Sequence, residues 1–196
     1  MAHLDGVDET ARAIGAVNTV TREDERLVGT NTDWRGAVRA IERETEIDGR
    51  RAVVLGAGGA ARAVVHGLIA AGARVTVLNR TDERARELAQ ALGAEAAGGL
   101  EMLADLNHDI LVNTTRVGLR EDASPVAASA LRPASVVMDA VYDPPRTRLL
   151  ADAEACGARS IGGKWMLVYQ AAAQLETWLD AEAPIDVMAD AFDTAG

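Results

Sequence analysis

Residues 53–62 of the chain read Val53-Val54-Leu55-Gly56-Ala57-Gly58-Gly59-Ala60-Ala61-Arg62. A short apolar run at 51–55 precedes the glycines and an alanine-rich, helix-prone run at 58–71 follows them, so the glycines lie at a strand-to-helix corner. A Gly-x-Gly at such a corner lets the backbone turn tightly and approach a pyrophosphate, whose charge then meets the free amides at the start of the helix. Ala61 is an accepted variant of the third glycine. The stretch therefore predicts a phosphate-binding turn.

Strand and helix patterns alternate after this turn. Aromatic residues make up only 3% of the 196 residues, so the core must consist mainly of Ala, Val, Leu and Ile, which suits a parallel sheet covered by helices. The order of elements predicts an α/β fold with a doubly wound parallel sheet. The predicted strands are 51–55, 74–78, 95–97, 110–113, 135–139 and 159–161, and the predicted helices are 58–71, 81–92, 163–179 and 184–192.

A different pattern precedes the turn. Apolar residues at helical spacing predict a short surface helix over 5–14. Two short strands at 16–21 and 26–29 predict a hairpin that is too small to be stable alone. Thr32 or Asp33 can cap a further helix that leads into the glycine-rich unit.

The charge balance argues against nucleic acid as a partner. The chain has 30 acidic and 20 basic residues and a net charge of −10, whereas phosphate backbones select basic surfaces. Lys164 is the only lysine. An acidic surface with almost no lysine is typical of proteins from salt-loving organisms, in which salt screens the self-repulsion of the surface. The alternative is a generally acidic cytoplasmic protein encoded by a high-GC genome.

Membrane, disulfide and metal chemistry are also not expected. No apolar run approaches the ~18 residues needed to span a bilayer, and the N-terminus lacks a basic segment followed by a hydrophobic one. We therefore expect a cytoplasmic protein that does not bind membranes. Cys156 is the only cysteine, which excludes an intramolecular disulfide and a cysteine metal cluster. We expect it to be a small buried apolar residue.

The end of the strand at 74–78 favours NADP(H) over NAD as the cofactor. An acidic residue there would accept the ribose 2′-hydroxyl of NAD. The sequence instead places Arg80 directly after the strand and Arg84 one helical turn further on. Two guanidinium groups can bind a 2′-phosphate through charge-assisted bidentate bonds. The alternative is that both arginines only pair with neighbouring acids on a solvated helix face, namely Asp82, Glu83 or Glu87.

A series of short motifs carries a resemblance to a known family. In chain order the motifs are Gly15-Ala16-Val17-Asn18-Thr19-Val20, Gly29-Thr30-Asn31-Thr32-Asp33, the glycine-rich turn, Asn79-Arg80-Thr81, Val112-Asn113-Thr114-Thr115 with Val117-Gly118, Asp139-Ala140-Val141-Tyr142, and Gly163 with Met166-Leu167 and Gln170. In this order and at these spacings the chain resembles shikimate dehydrogenases. The resemblance implies a Rossmann-type fold and NADP-dependent reduction of the ketone of 3-dehydroshikimate to shikimate, in aromatic amino acid biosynthesis. Quinate-handling relatives are an alternative within the same enzyme class.

The resemblance also implies roles for individual residues. Those expected to bind the cofactor are Gly56, Ala57, Gly58, Gly59 and Ala60 at the pyrophosphate, Asn79, Arg80, Thr81 and Arg84 at the 2′-phosphate, and Ala140 and Gly163 against the nicotinamide. Asn113 and Thr114 are also expected to bind the cofactor. Those expected to face the substrate hydroxyls are Asn18, Asp33, Tyr142 and Gln170, with Asp33 as the catalytic residue. Amide and carboxylate groups suit a polyhydroxylated ring. Taken alone, Asn18 could equally make a turn hydrogen bond, Asp33 could cap a helix, and Gln170 could be a buried amide bonded to the backbone.

The chain departs from the family pattern at its beginning. The resemblance implies a substrate-binding domain in front of the hairpin, with a catalytic lysine shortly before the segment that begins here at Met1. Lys164 cannot take that role because it lies in the nicotinamide-side motif; we expect it to be a cation that faces solvent or neighbours a phosphate. Asp33, with an ordinary pKa near ~3.9, is ionised at neutral pH and cannot donate a proton alone. We therefore expect NADP(H) binding with weak or no turnover.

Four segments follow from this interpretation. They are a remnant of the substrate-binding domain at 1–30, a linking helix at 31–48, the NADP-binding domain at 49–162, and C-terminal helices at 163–196 that pack back on the interdomain cleft. One hypothesis is an enzyme, or its cofactor-binding fragment, with Met1 as an internal methionine. The other is a stand-alone, non-catalytic NADP-binding module. Exposed apolar surface on the hairpin could support a homodimer.

Overall fold

The computed structural model describes residues 3–194, which form two sheets and seven helices. The strands are β1 Gly6–Val7, β2 Thr19–Glu23, β3 Arg26–Thr30, β4 Arg51–Leu55, β5 Arg74–Leu78, β6 Ala96–Gly98, β7 Ile110–Asn113, β8 Val136–Asp139 and β9 Arg159–Ile161. The helices are α1 Glu9–Ile14, α2 Asp33–Glu42, α3 Gly59–Ala70, α4 Asp82–Leu92, α5 Arg148–Ala155, α6 Gly163–Leu179 and α7 Ile185–Thr194. Two 3₁₀ turns lie at Leu100–Ala104 and Ala128–Ala130.

The main sheet contains six parallel strands in the order β6-β5-β4-β7-β8-β9. Counted from β4, this is the order 3-2-1-4-5-6, in which the direction of winding reverses between β4 and β7. Ligands of such sheets bind at the carboxyl ends of the strands beside this reversal. The predicted doubly wound parallel sheet is confirmed, and the glycine-rich turn follows its central strand.

Alternate residues of the central strands point to opposite faces of the sheet, as the strand period of two requires. Val54 and Val112 lie in the core that α2, α3, α4 and α6 cover. Val53 and Leu111 lie in the core that α5 and the two 3₁₀ turns cover. All four are at most 2% exposed, and burying a side chain of this size stabilises the fold by about 1.5–3 kcal/mol. Burial on both faces thus fixes the sheet as the scaffold of the site.

The small sheet has the order β1-β3-β2, with β2 and β3 forming the predicted hairpin. The predicted helix over 5–14 is wrong in its first half, because Gly6–Val7 pairs in parallel with β3. The chain there is extended by backbone bonds from Asp5 N to Leu27 O and from Asp8 N to Gly29 O. Asp8 then caps α1, its Oδ1 accepting from Ala11 N. A two-residue strand has no periodicity, so the sequence pattern could not reveal it.

Helix α2 lies between α3 and α6, and glycines permit the close approach. A Cβ on Gly36 would lie 2.6 Å from the backbone oxygen of Met166, and one on Gly67 would lie 3.1 Å from that of Trp34. This packing brings the start of α2, with Asp33, against the middle of α6, with Gln170. The contact therefore places two predicted substrate residues beside each other.

The structure also bears on the expectations for Cys156 and for membrane-spanning helices. Cys156 is only partly buried rather than a core residue, because it is the C-cap of α5 at the protein surface. No helix among residues 3–194 is both long and apolar enough to cross a bilayer.

Candidate active site

The glycine-rich turn leaves open space in front of α3. Gly56 has φ +113°, which favours glycine, and a Cβ there would lie 2.6 Å from Thr114 Oγ1. A Cβ on Gly58 or Gly59 would meet nothing within 4 Å. No side chain caps the first amides of α3, so these amides and the positive end of the helix dipole are available to an anion.

The loops on either side of the turn are tied to it. Gly56 N donates to Leu78 O at 2.8 Å, which joins the turn to the end of β5. Thr114 donates to Leu55 O twice, from its backbone nitrogen at 2.9 Å and from Oγ1 at 2.7 Å. The ends of three neighbouring strands therefore form one rigid edge. Thr114 acts there through bonds to β4, which supports the turn from the side of β7.

A cleft of about 340 Å³ lies between the loop after β5 and the loop after β7. We call it the Arg80 cleft; its lining residues are Asn79, Arg80, Leu100, Thr115, Arg116, Val117, Glu121 and Pro125. Two of its side chains are cationic and one is anionic, and Leu100, Val117 and Pro125 supply apolar surface. This mixture suits a planar, apolar ring that carries an anionic group.

Arg80 lines this cleft, whereas Thr81 and Arg84 do not and are exposed. Among residues 3–194, neither Arg80 nor Arg84 lies within 4.0 Å of a carboxylate, and Asp82 pairs with Arg86 at 3.3 Å instead. The alternative of local pairing therefore does not account for Arg80. Asn79 Nδ2 donates to Thr81 O at 3.0 Å, which orders the loop.

Sequence reasoning missed Arg116, the second guanidinium of the Arg80 cleft. Its loop is ordered by Thr115, whose Oγ1 accepts from Val117 N at 3.2 Å. An arginine directly after Val112-Asn113-Thr114-Thr115, at the carboxyl end of a strand next to the reversal of winding, was the available signal.

A second cavity of about 260 Å³ lies at the other end of the turn. We call it the Asp33 cavity; its lining residues are Asp33, Ala60, Ala140, Tyr142, Gly163, Met166, Leu167 and Gln170. Six of these eight were predicted site residues that lie up to 137 positions apart in sequence, counted from 33 to 170. Ala60 belongs to the first turn of α3, so the cavity is continuous with the region in front of the glycines.

Asn18 fixes the side chain of Asp33 through a hydrogen bond. Asn18 Nδ2 donates to Asp33 Oδ1 at 2.6 Å, and Asn18 Oδ1 accepts from Thr32 N at 2.9 Å and from Thr19 Oγ1 at 2.8 Å. Burial raises the pKa of Asp33, and the hydrogen bond from Asn18 opposes that rise. Asp33 does not cap α2, since Thr32 is the N-cap residue and makes no side-chain cap bond. Asn18 itself does not line the cavity.

Tyr142 and Gln170 form two walls of the Asp33 cavity. Tyr142 is 48% exposed, and its ring meets the edge of Phe192 from α7 with the centroids 6.4 Å apart. The Gln170 carboxamide makes no hydrogen bond to any residue of the described range 3–194, so the alternative of a backbone-bonded amide does not apply there. Close packing of Gly163 on the backbone of Ala140, where a Cβ would lie 2.7 Å from its oxygen, brings α6 against the loop after β8.

Asn113 lines neither cavity and instead forms hydrogen bonds with residues next to them. It is 0% exposed, its Nδ2 donates to Asp139 Oδ1 at 2.9 Å, and its Oδ1 accepts from Thr115 N at 3.0 Å. Asp139 is also 0% exposed; burial raises its pKa, and hydrogen bonds from Thr147, Val141 and Asn113 lower it. In this arrangement the side chain of Asn113 has no surface for a direct cofactor contact.

Lys164 is engaged outside both cavities. Its Nζ pairs with Asp193 Oδ2 at 2.6 Å, its side chain is 19% exposed, and it lies 5.1 Å from the centroid of the Trp165 ring. It therefore ties the start of α6 to the end of α7. The expectation of a solvent-facing cation is corrected, because an aromatic ring and an acid from α7 cover it.

Comparisons with known proteins match this architecture. Residues 39–117 match the family described as Shikimate / quinate 5-dehydrogenase, and residues 163–191 match Shikimate 5'-dehydrogenase C-terminal domain. The shikimate dehydrogenase (NADP(+)) of Haloarcula marismortui is 48% identical over 189 residues, which cover 94% of this chain and 71% of that protein.

Solved structures give the same result. The shikimate 5-dehydrogenase of Thermus thermophilus, in complex with NADP(H) and shikimate, superposes with a TM-score of 0.92 at 41% identity and covers 100% of this chain and 74% of that one. The quinate dehydrogenase of Corynebacterium glutamicum, in complex with NAD, gives a TM-score of 0.88 at 30% identity and covers 99% and 73% of the two chains. The six-stranded sheet, the glycine-rich turn and these similarities together show that the chain belongs to the shikimate dehydrogenase family of oxidoreductases.

Proposed function

We propose that this chain binds NADPH and presents it to 3-dehydroshikimate, the ketone whose reduction gives shikimate. The observation that carries the proposal is the composition of the Asp33 cavity. Two small residues expected beside a nicotinamide, Ala140 and Gly163, share it with three polar residues expected beside a hydroxylated ring, Asp33, Tyr142 and Gln170. A pure dinucleotide-binding module has no need for those polar groups.

The cofactor fits the residues that are present. The space in front of Gly58 and Gly59 and the uncapped start of α3 suit a pyrophosphate. Arg80, which pairs with no carboxylate among residues 3–194, suits a 2′-phosphate, and positions 79–81 directly after β5 hold no acid that could accept a ribose hydroxyl. NADPH supplies a hydride when it is bound. Exposed Thr81 and Arg84 lie outside the Arg80 cleft and contribute at most from its rim.

The substrate side is organised around Asp33. As a carboxylate that already accepts from Asn18, it has further lone pairs for substrate hydroxyl groups. Gln170 offers both a donor and an acceptor, and Tyr142 a hydroxyl. A set of this kind orients a hydroxylated ring and rejects analogues that lack a hydroxyl, because its polar groups would then be left unpaired.

Reduction of the ketone also requires a proton donor for the developing alkoxide. This donor is the part of the reaction that these 196 residues supply least well. Burial raises the pKa of Asp33, and the hydrogen bond from Asn18 opposes that rise. No cationic side chain among residues 3–194 lines the Asp33 cavity beside it. Lys164, the only lysine, is paired with Asp193 and lies outside the cavity. A positioned acid contributes about 10²–10⁴-fold to such reactions. We therefore propose that these residues alone bind NADPH but turn over weakly or not at all.

The test is a fluorescence titration of the protein with NADPH and NADH, followed by a reductase assay with 3-dehydroshikimate. Arg80→Ala should raise the Kd for NADPH by about 10–100-fold, the value of one lost charge-assisted contact to phosphate, and should change the Kd for NADH little. Arg74→Ala, at the opposite end of the same strand, is the matched control and should change neither. Equal effects of Arg80→Ala on both cofactors would refute the 2′-phosphate assignment, and full family-like turnover would refute the claim of weak activity.

Two alternatives remain distinguishable. A quinate-handling relative would bind quinate more tightly than shikimate. The quinate dehydrogenase of Corynebacterium glutamicum is in complex with NAD, whereas Arg80 favours NADP here. A non-catalytic NADP-binding module would bind NADPH with no change on addition of either shikimate or quinate. Isothermal titration of the NADP⁺-saturated protein with the two acids separates these outcomes.

A further inference from the structure

One buried carboxylate is connected by hydrogen bonds to the loops that line both cavities. Asp139, the last residue of β8, is 0% exposed and accepts three hydrogen bonds: from Thr147 Oγ1 at 2.6 Å, from Asn113 Nδ2 at 2.9 Å and from Val141 N at 3.0 Å. An isolated buried carboxylate is costly, so a charge at this position requires such partners. Asp139 belongs to the motif Asp139-Ala140-Val141-Tyr142, but the sequence alone assigns it no role.

The orientation of the network is fixed by groups that can only donate. Thr115 N–H donates to Asn113 Oδ1 at 3.0 Å, and this forces Asn113 Nδ2 to face Asp139. Thr147 Oγ1 accepts from Leu150 N at 3.4 Å and can donate only its proton to the carboxylate. Asp139 is therefore surrounded by donors and acts as the acceptor for all of them.

The network joins two loops that line different cavities. On one side, Val141 and Thr147 are the two ends of the loop after β8, which carries Tyr142 into the Asp33 cavity. On the other side, Asn113 holds Thr115 in the loop after β7, which lines the Arg80 cleft. Asn113 and Asp139 are directly paired in the sheet register, so the link between the loops crosses a single strand spacing.

We propose that Asp139 is a positioning residue that sets the spacing between the two ends of the dinucleotide site, a role that rests on the function proposed above. A dinucleotide bound as proposed would reach both cavities, so its two ends would be held well only if the two loops keep a fixed separation. Displacement of a binding group by about 1 Å can cost about 10²-fold in rate. Supporting hydrogen bonds from buried neighbours are the usual means of preventing it.

The test uses the pair Thr147→Val and Thr147→Ser together with Asp139→Asn. Thr147→Val removes one donor to the carboxylate at nearly constant volume, and Thr147→Ser keeps it. We expect Thr147→Val and Asp139→Asn to raise the Kd for NADPH by about 10-fold, less than the ~10²-fold cost that a displaced group can reach. Thr147→Ser should retain the wild-type Kd for NADPH. Adenosine 2′,5′-bisphosphate, which would occupy only the Arg80 cleft, should lose less affinity than NADPH, and an equal loss would contradict the proposal.

Asp109→Asn is the control for a merely structural effect. Asp109 precedes β7 at the opposite edge of the sheet and pairs with Arg51 at 3.0 Å, so its loss should lower stability without changing the Kd for NADPH. In ligand-free protein, the amide resonance of Thr115 should move in Thr147→Val and not in Asp109→Asn. Unchanged NADPH affinity in folded Thr147→Val, or an unmoved Thr115 resonance, would overturn the proposal. Failure of the wild-type protein to bind NADPH would instead refute the proposed function.

Discussion

The side-chain amide of Asn18 donates a 2.6 Å hydrogen bond to Oδ1 of Asp33, and Asn18 Oδ1 accepts from the backbone amide of Thr32 at 2.9 Å. This pair joins the end of the loop that precedes the hairpin to the first residue of α2. Asn18, which lies outside the Asp33 cavity, therefore orients the carboxylate of Asp33 and favours its ionised form.

Replacement of Asn18 by alanine should raise the pKa of Asp33 further. The substitution removes the bond that favours the carboxylate form, while the burial that favours the protonated form remains. A titration of the Asp33 carboxyl carbon by NMR measures this. Asn79→Ala, which removes an amide that bonds only a backbone oxygen in another loop, is the control. A pKa that stays constant or falls in Asn18→Ala would contradict the assigned role of the bond.

Alanine at Gly56 should lower stability, whereas alanine at Gly58 should weaken NADPH binding. Gly56→Ala should cost about 1–3 kcal/mol in unfolding free energy, because φ is +113° and the new Cβ would lie 2.6 Å from Thr114 Oγ1. Gly58→Ala should keep the melting temperature, because φ is −93° and nothing lies within 4 Å. Its methyl group would instead occupy the space for the pyrophosphate and raise the Kd for NADPH by about 10-fold or more.

Thermal melts and NADPH titrations of the two variants check this. An unaltered Kd in Gly58→Ala would show that the pyrophosphate does not rest on the start of α3.

The pair of Asp109 and Arg51 should make stability depend on pH in acid. Hydrogen bonds from Arg51 lower the pKa of Asp109 from 3.8 to about 2. Since the folded-state pKa is below that of the unfolded chain, the stabilisation is complete above 3.8 and is lost as the pH falls through about 2. Both side chains are about a third exposed, so the contribution at neutral pH should be about 1 kcal/mol.

Urea unfolding of the wild type and of Asp109→Asn at several pH values measures this contribution. The difference in unfolding free energy should shrink as the pH is lowered. A difference that is constant with pH would show that the effect of the substitution is not electrostatic.

The acidic surface should make the fold more stable in concentrated salt. With a net charge of −10, repulsion between carboxylates opposes the compact state, and molar KCl screens it. We expect a melting temperature several degrees higher in molar KCl than in dilute buffer. A lower melting temperature in KCl would reject adaptation to salt and favour the alternative of a generally acidic protein.

Local patterns predicted the main sheet well. The strands Arg51–Leu55, Arg74–Leu78, Ile110–Asn113 and Arg159–Ile161 have the bounds that the sequence predicted, because short apolar runs between glycines and polar turns leave little choice of register. Arg80 was predictable for the same reason, since its position follows from the end of a strand. Strand β1 was not, because two residues become a strand only through a partner about 22 positions away, from Gly6 to Val28.

The sequence by itself determined the order of elements, the glycine-rich corner and the family of the chain, because these depend on spacing along the backbone. Only the tertiary structure decided which side chains meet. Asn113 and Asp139 are 26 positions apart. The local sequence does not show that their strands are neighbours in register, or that the two buried side chains are hydrogen-bonded to each other. The glycine-rich turn could thus be predicted from the chain, whereas the buried carboxylate that connects its two flanking loops emerged only on folding.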